Sequence, residues 1–412
     1  MKQTKPFCIS KEEVWESYLS VKRNKGCAGV DKESLEAFDE KAKENLYKIW
    51  NRMSSGSYYP PSVLTVSIPK QDGKVRKLGI PTVGDRIAQM VVKRQIEPRL
   101  EEIFHEDSYG YRPNKSAIQA IDRARKRCWQ NNWVVDIDIK GFFDNINHDL
   151  LMKTVEHHVK ESWIKLYIKR WLTASSETRS GEQTERTTGI PQGGVISPLL
   201  ANLFLHYVLD NWLARNYSHI PFERYADDII IHCKSENQAK MILSEIRKRM
   251  QLCSLELHPD KTKIIYCKDK YRNENHPEIQ FDFLGYTFKP RKSKHMGKKY
   301  LIRFGPGMSR TAKIKITEEI KQWNISRRTD LNLEKIAEEY NPKIRGWLNY
   351  YGQFYKSELY GLFYNLNLKL LNWAKRKYKR FQYSWKKAKK WFGRIIQKEP
   401  NKFAHWKLCV AI

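Results

Sequence analysis

Long apolar runs are absent from the 412-residue sequence. No stretch of 18 consecutive apolar residues occurs, and the N-terminal region lacks the apolar segment of a signal peptide. We therefore expect no membrane span and no membrane partner. Repeats and low-complexity segments are also lacking, while 41% of the residues are hydrophobic, so a sizeable core is expected rather than global disorder.

Paired cysteines are the second absence. The seven cysteines are scattered along the chain, no CxxC pair occurs, and their number is odd. This pattern argues against a disulfide framework and against a zinc knuckle. It favours a reducing compartment, and we expect the cytoplasm.

Acidic residues are few relative to basic ones. Lys and Arg number 76 against 46 Asp and Glu, which gives a formal net charge of +30. From position 291 onwards, 30 Lys and Arg face 8 Asp and Glu, so the last part alone has a net charge of +22 and the first 290 residues only +8. A strongly basic protein that also contains 13 Trp, 22 Tyr and 16 Phe is typical of nucleic-acid binding.

Apolar periodicity predicts an α+β front part and an α-helical back part. Residues 11–55 have helical spacing, and residues 62–83 are typical of a hairpin that turns at Asp72 and Gly73. Helical patterns dominate from about Met308 onwards. Between these parts, residues 289–300 are rich in Lys and Arg, and we expect a linker or insertion there.

Two strands carry neighbouring carboxylates. In "WVVDIDI", Val135, Ile137 and Ile139 share one face, and Asp136 and Asp138 share the other. In "FERYADDIIIHC", Asp227 and Asp228 lie at a tight turn between two strands. An isolated Asp pair is more often a polar hairpin turn. Here the flanking strands and the upstream Asp-x-Asp favour a divalent-cation site, because adjacent carboxylates repel each other without a cation.

Several motifs together resemble the reverse transcriptases encoded by group II introns. "YADD", "DIDIKGFFDNI" and "IPQGGVISPLLANLFL" carry the resemblance, and "NKGCAGVD", "IPKQDGKVRKLGIPTVGDRIAQ" and "YNPKIRGWLNYYGQF" extend it in order over nearly the whole chain. The resemblance implies a right-hand polymerase in which fingers and palm, made of an antiparallel sheet and helices, precede a helical thumb. The implied domains are an N-terminal extension with fingers at 1–85, a palm with the remaining fingers elements at 86–304, a thumb or maturase domain at 305–371 and a basic DNA-binding segment at 372–412.

The resemblance also assigns the catalytic residues. Asp138, Asp227 and Asp228 should bind two Mg²⁺ ions, with Mn²⁺ as an alternative, and Ile139 belongs to the metal and nucleotide sites. Lys261 is a candidate for protonating the leaving pyrophosphate, with Lys263 as its rival.

Four further residues are assigned to the incoming nucleotide. Lys70 and Arg76 should hold the triphosphate, Phe143 should exclude a ribose 2′-OH, and Gln192 should lie near the nucleotide sugar and base pair. The "FLGY" motif at 283–286 resembles a primer grip, although burial of Phe283 and Leu284 as core explains it equally well.

The basic segment interleaves cations with aromatic residues, which favours contact with nucleic acid. The candidate nucleic-acid-binding residues in this segment are Arg376, Lys379, Arg380, Lys386, Lys387 and Lys390. Many members of the family carry a C-terminal endonuclease with Cys and His metal ligands. The sequence ends without such a cluster and resembles the short form.

The implied function is that of an RNA-directed DNA polymerase that binds its intron RNA to assist splicing and copies the RNA during retrohoming. The expected partners are the intron RNA, an RNA template with a DNA primer, a DNA target and dNTPs, in a bacterial cytoplasm or nucleoid; the oligomeric state is left open. A related polymerase used in host DNA repair or phage defence is one alternative. An RNA-binding splicing cofactor without polymerase activity is another, which the intact Asp trio and Phe143 disfavour.

Overall fold

A computed structural model describes residues 5–69, 75–295 and 299–408. The chain divides into two compact units. The first comprises residues 1–116 and 135–263, and the second comprises residues 117–134 and 264–412. The four predicted domain limits differ from these bounds and stay predictions.

Helices make up most of the ordered chain. In chain order they are α1 Lys11–Asn24, α2 Leu35–Glu40, α3 Ala42–Ser55, α4 Val83–Glu101, α5 Ala117–Gln130, α6 Phe142–Asn145, α7 His148–His158, α8 Ser162–Thr173, α9 Ser197–Leu205, α10 Asn211–Asn216, α11 Glu236–Leu252, α12 Arg310–Gln322, α13 Leu333–Tyr351, α14 Tyr360–Lys377 and α15 Trp385–Lys398. A five-residue π-helix, His206–Asp210, joins α9 to α10. In the described part of the chain, no helix is long and apolar enough to cross a membrane.

Many of these helices begin at a residue whose side chain caps them. The capping side chains accept a hydrogen bond from a backbone N–H of the first turn, and they belong to Ser10, Ser34, Thr82, Asn147, Ser235, Ser309, Asn332 and Ser384. Ser, Thr and Asn are favoured there because their short side chains satisfy a donor that the helix itself leaves unpaired.

The strands are short. They are β1 Val63–Pro69, β2 Val75–Ile80, β3 Trp133–Ile137, β4 Ser176–Thr178, β5 Gln183–Thr184, β6 Phe222–Tyr225, β7 Asp228–Cys233, β8 Lys263–Tyr266, β9 Phe281–Phe283, β10 Tyr286–His295 and β11 Lys299–Met308. Together with the helices they confirm the predicted α+β class.

Two sheets shape the first unit. One has the order β2-β1-β4-β5, and its antiparallel pair β1–β2 pairs Leu64 with Ile80 through to Pro69 with Val75. The predicted hairpin is therefore confirmed in its two strands, while Asp72 and Gly73 lie outside the described residues. The other sheet places β7 between β6 and β3.

The expected linker at 289–300 is wrong. Its described residues belong to β10 and β11, which pair antiparallel from Tyr286 with Met308 to His295 with Lys299. The strand pairing explains this difference: β10 also pairs with β9, and the buried rings of Phe288 and Phe304 anchor the hairpin to the second unit. A polar composition did not reveal two strands that are held by backbone hydrogen bonds.

The second unit has a helical core of its own. Its largest fully buried side chains between α12 and the C-terminal turns include Phe363, Trp373, Phe392, Phe403 and Trp406. The predicted helical back part is confirmed.

Candidate active site

The carboxylate pair lies on the hairpin between β6 and β7. Tyr225 pairs with Asp228, so Ala226 and Asp227 form a two-residue loop. Ile229, Ile230 and Ile231 behind it are fully buried. The apolar strand thus fixes the charged turn against the core, as the sequence predicted.

Asp138 follows β3 directly. Its backbone carbonyl accepts a hydrogen bond from the N–H of His258 at 2.8 Å. Its carboxylate forms an ion pair with Lys261, with Nζ 3.3 Å from Oδ2. The neighbouring Ile139 forms an antiparallel bridge with Leu257. These contacts bring the segment 257–261 beside the catalytic candidate and favour Lys261 over Lys263.

The three aspartates influence each other electrostatically. The pKa of Asp228 is raised from 3.8 to about 7, chiefly because protein atoms around its carboxylate desolvate it, although the residue as a whole is exposed. The charges of Asp227 and Asp138 contribute to this rise, and Lys261 opposes them.

A cleft of about 1390 Å³ brings the other candidates together with Asp138 and Asp227, while Asp228 is not among its lining residues. It is lined by Asp138, Asp227, Arg76, Phe143, Gln192 and Lys261, and Ile139 contributes as well. Lys70 lies outside the described residues. Seven residues spread over 186 positions of sequence thus share one cavity within the first unit.

Arg76 and Gln192 are in direct contact. Nε of Arg76 donates to Oε1 of Gln192 at 2.6 Å, and the backbone N–H of Gly79 donates to the carbonyl of Gln192 at 2.7 Å. Gly193 has a φ of +119°, and a Cβ there would come within 2.3 Å of the Gly79 carbonyl oxygen. Glycine is needed here because the loop 191–194 runs against β2.

Phe143 borders the cleft from α6. Only 8% of its surface is exposed, and its carbonyl accepts from the N–H of Ile190 at 2.8 Å. Gly189, with a φ of +77°, approaches so closely that a Cβ would lie 2.6 Å from the Asp144 carbonyl oxygen. The ring is thus held by the same loop that presents Gln192.

Two cleft residues were missed from the sequence. Tyr111 lines the cleft, and its pKa is raised by burial and by the charge of Asp227. Arg186 also lines it, and burial lowers its pKa while Asp144 opposes the change. The only signal in the sequence was their position beside motifs, in "YGYR" and "ERTTGIPQGG".

The candidate nucleic-acid-binding residues of the basic segment are exposed. They are Arg376, Lys379, Arg380, Lys386, Lys387 and Lys390. The aromatic residues between them divide into two groups. Trp373, Phe381 and Phe392 are buried in the core of the second unit, whereas Tyr383 is 90% and Trp385 41% exposed. Most of the aromatic interleaving therefore reflects packing.

The aspartates offer carboxylate oxygens that suit a metal ion, but the described residues do not arrange them into a complete set of ligands. Among residues 5–69, 75–295 and 299–408, no group of three or more His, Cys, Asp or Glu side chains is arranged to hold a metal ion. Hard carboxylate oxygens suit Mg²⁺, and the charges of Asp227 and Asp138 add to desolvation in raising the pKa of Asp228, an effect that a bound cation would offset. Lys261 supplies one positive charge at Asp138.

Two family models match this chain. Residues 68–288, just over half of the chain, match "Reverse transcriptase (RNA-dependent DNA polymerase)". Residues 314–391 match "Group II intron, maturase-specific domain". Members of this family use divalent metal ions and bind RNA.

Curated relatives agree with these matches. Protein YkfC of Escherichia coli is 30% identical over 307 residues, which cover 66% of this chain and 77% of that protein. The group II intron-encoded protein LtrA of Lactococcus lactis is 26% identical over 416 aligned residues, which cover 82% of this chain and 68% of that protein.

Among solved structures, a telomerase from Candida albicans matches 91% of this chain and 68% of its own, with 12% identity and a TM-score of 0.47.

Proposed function

We propose a division of roles within the cleft that follows from the family of this chain. The chain belongs to the reverse transcriptase family, among the group II intron-encoded members with a maturase domain. Asp138, Asp227 and Asp228 would hold the catalytic metal ions, and Arg76, Gln192 and Phe143 would hold the nucleotide. The observation that carries the proposal is the convergence of Asp138, Asp227, Arg76, Gln192 and Phe143 on one cavity of about 1390 Å³, with Asp228 next to Asp227 on the same hairpin.

The carboxylates are suited to two Mg²⁺ ions. Bound Mg²⁺ would lower the pKa of the primer 3′-OH and stabilise charge on the leaving group. Asp227 and Asp228 present their charges from one hairpin, and Asp138 presents its charge directly after the neighbouring strand β3. Metal binding would require Asp138 to exchange its ammonium partner for the cation.

Arg76 and Gln192 would act as one unit on the incoming dNTP. Their 2.6 Å hydrogen bond orients the guanidinium, whose remaining donors can reach phosphate oxygens. An arginine at this place offsets the charge that grows on pyrophosphate as the primer 3′-OH attacks the α-phosphate. Ile139 would contribute at the same edge of the cleft, and Phe143 would close the cleft at the sugar.

Lys261 would donate a proton to the leaving pyrophosphate. Its ammonium lies 3.3 Å from Asp138 and therefore at the carboxylates rather than on a remote surface. If Asp138 turned to a bound cation, the ammonium of Lys261 would be able to approach the phosphates.

RNA binding would use the second unit. The maturase-specific domain and the exposed cations of the basic segment favour the chain's own intron RNA as a partner, with a DNA target during retrohoming. Dense positive charge favours phosphate contacts, which are sensitive to salt.

Primer extension tests the proposal. Wild-type protein with an RNA template, a DNA primer, dNTPs and Mg²⁺ should extend the primer, and Asp138→Asn and Asp227→Asn should not. Asp260→Asn serves as a matched control, because it removes the same charge from the nearby loop 258–262. Equal extension by Asp227→Asn and wild type would contradict the metal site.

A further inference from the structure

A fully buried polar network lies beneath the carboxylate hairpin. Arg224, in β6, forms a two-point ion pair with Asp210: Nε lies 2.7 Å from Oδ1, and a terminal nitrogen lies 2.6 Å from Oδ2. The second terminal nitrogen donates to Oδ1 of Asn202 at 2.9 Å. None of the three residues has more than 1% of its surface exposed.

The network ends on the hairpin turn itself. The same Arg224 nitrogen that contacts Asn202 also donates to the carbonyl of Ala226 at 3.1 Å. Ala226 has a φ of +57°, which a residue with a Cβ rarely adopts and which persists only when the surroundings enforce it. The bond therefore reaches the strained residue directly before Asp227.

A second set of contacts presses on the turn from the segment 107–110. The N–H of Tyr109 donates to the carbonyl of Arg224 at 2.8 Å, and Nδ2 of Asn202 donates to the carbonyl of Gly110 at 2.7 Å. A Cβ at Gly110 would lie 2.4 Å from the backbone nitrogen of Ala226. Asn202 thus connects the arginine to the segment that packs against the turn.

Asp210 reaches this place through an irregular helix. It ends the π-helix His206–Asp210, and such insertions shift the face on which the following side chains lie. Nearby His206 is neutral at physiological pH, because burial lowers its pKa to about 4. Because His206 is neutral, the negative charge of Asp210 is paired with the positive charge of Arg224 and not with that of a protonated histidine.

We propose that Arg224, Asp210 and Asn202 are positioning residues that set the place of Asp227 and Asp228 and thereby the affinity of the site for its divalent cation. The inference rests on the proposed function, since it takes these aspartates as the metal ligands. A buried ion pair contributes little net stability compared with apolar residues of similar volume. Its retention beneath a strained, charged turn is explained if it fixes the geometry of that turn.

The test replaces the pair by apolar residues so that no charge is left buried alone. Arg224→Met with Asp210→Leu should keep the fold, as should the control Glu223→Leu with His232→Leu. The control removes another fully buried pair, hydrogen-bonded at 2.5 Å across the same two strands. Each protein is titrated with Mg²⁺, and both the shift in Tm on metal binding and the rate of primer extension are recorded.

We expect the Arg224/Asp210 variant to need about 10- to 100-fold more Mg²⁺ for half-maximal effect in both readouts, as when supporting residues of a metal site are lost. The Mg²⁺ requirement of the control should stay within about twofold of that of the wild type. Apolar residues can replace the buried pair Glu223 and His232, which lies away from the turn, without displacing the proposed ligands. A folded Arg224/Asp210 variant with the wild-type Mg²⁺ requirement would overturn the inference.

Two milder variants decide the question if the double variant does not fold. Arg224→Lys keeps a charge for Asp210 but not the fork that also reaches Ala226, and Asn202→Ala leaves the ion pair intact. Both should raise the Mg²⁺ requirement several-fold, and a wild-type requirement in both would refute the network's role.

Asp227→Asn separates a failure of the proposed metal site from a failure of the network inference. If this variant extends primers and responds to Mg²⁺ like wild type, the metal site itself is misplaced. If it is inactive while the network variants are normal, only the network inference fails.

Discussion

Two clusters of like charge in this molecule are built in opposite ways. The carboxylates at 227 and 228 stand on a hairpin whose strands are buried except beside the turn, and the turn is held at a strained φ. The basic segment from Arg376 to Lys390 presents its cations on exposed surfaces. Chemistry at a phosphorus atom needs a few charges in fixed positions, whereas affinity for a polyanion needs many charges that can replace one another.

The largest effect should come from the fixed cluster. Asp227→Asn keeps the shape of the turn but removes a carboxylate that we propose as a metal ligand, so the rate of primer extension should fall by about 1,000-fold or more. The affinity for intron RNA should stay within about threefold, because one charge in the cleft contributes little to polyanion binding. Single-turnover extension and filter binding on the same preparation measure the two quantities.

Arg76 and Gln192, which we propose bind the nucleotide, should show intermediate effects on KM. Arg76→Ala should raise the KM for dNTP by about 10- to 100-fold, since a hydrogen bond to a charged group contributes about 1.5–3 kcal/mol. Gln192→Ala should act in the same direction, and the double variant should be less impaired than the product of the single effects because the side chains are bonded at 2.6 Å. Strictly multiplicative effects would show that the two residues act separately.

The pH dependence follows from Asp228. Its pKa of about 7, against 3.8 ordinarily, means that between about pH 4 and 7 the folded protein holds a proton that the unfolded chain has lost. Without metal, the free energy of unfolding should therefore fall as pH rises through this window. The apparent Mg²⁺ affinity should rise over the same window, because the metal displaces that proton.

Melting curves in EDTA between pH 5 and 8 measure this slope. Asp228→Asn removes the titrating group, so its Tm should lack the decline that the wild type shows. Identical slopes in both proteins would contradict the assignment of this proton to Asp228.

The dispersed cluster should respond to the number of charges removed. Changing Lys386, Lys387, Lys389 and Lys390 to Gln should lower the slope of log affinity against log salt by about 3, since each phosphate contact contributes about 0.7–0.9. The pair Lys386→Gln and Lys387→Gln should have half that effect. Lys240→Gln with Lys248→Gln on α11 is the matched control, because it removes two exposed lysine charges elsewhere.

The smallest effect should come from one cation of the segment. Lys387→Ala alone should weaken RNA binding by less than about threefold, because its neighbours continue to supply charge to the phosphates. A loss of about 100-fold would mean that Lys387 makes a specific contact, and the contrast between fixed and interchangeable charges would not hold there.

The sequence predicted the residues that line the cleft better than the buried residues that hold the carboxylate hairpin in place. Alternation placed Asp138 on the open face of a strand, and the motif resemblance connected it with Asp227. From the sequence alone, an arginine close to an acidic turn, such as Arg224, is expected at the surface. Its burial depends on Asp210, whose orientation depends on a π-helix that no periodicity predicts.

Charge composition was the least reliable guide to local structure. The Lys-rich stretch after position 288 suggested a linker, yet paired backbone groups form β10 and β11 there. In the basic segment, aromatic residues at short intervals suggested stacking on bases, yet Trp373 and Phe392 are core residues. In both places, the side-chain composition reflects the exposed face, while packing and backbone pairing decide the structure.

The most direct test of the contrast is a crossed measurement on two variants. Extension rate and RNA affinity are determined for Asp227→Asn and for the four-lysine variant of the basic segment, in the same buffer at two salt concentrations. We predict that the first loses extension and keeps RNA affinity, while the second loses salt-dependent affinity and, at saturating RNA, extends at close to the wild-type rate. Loss of both properties in both variants would contradict the assignment of catalysis and polyanion binding to separate sets of charges.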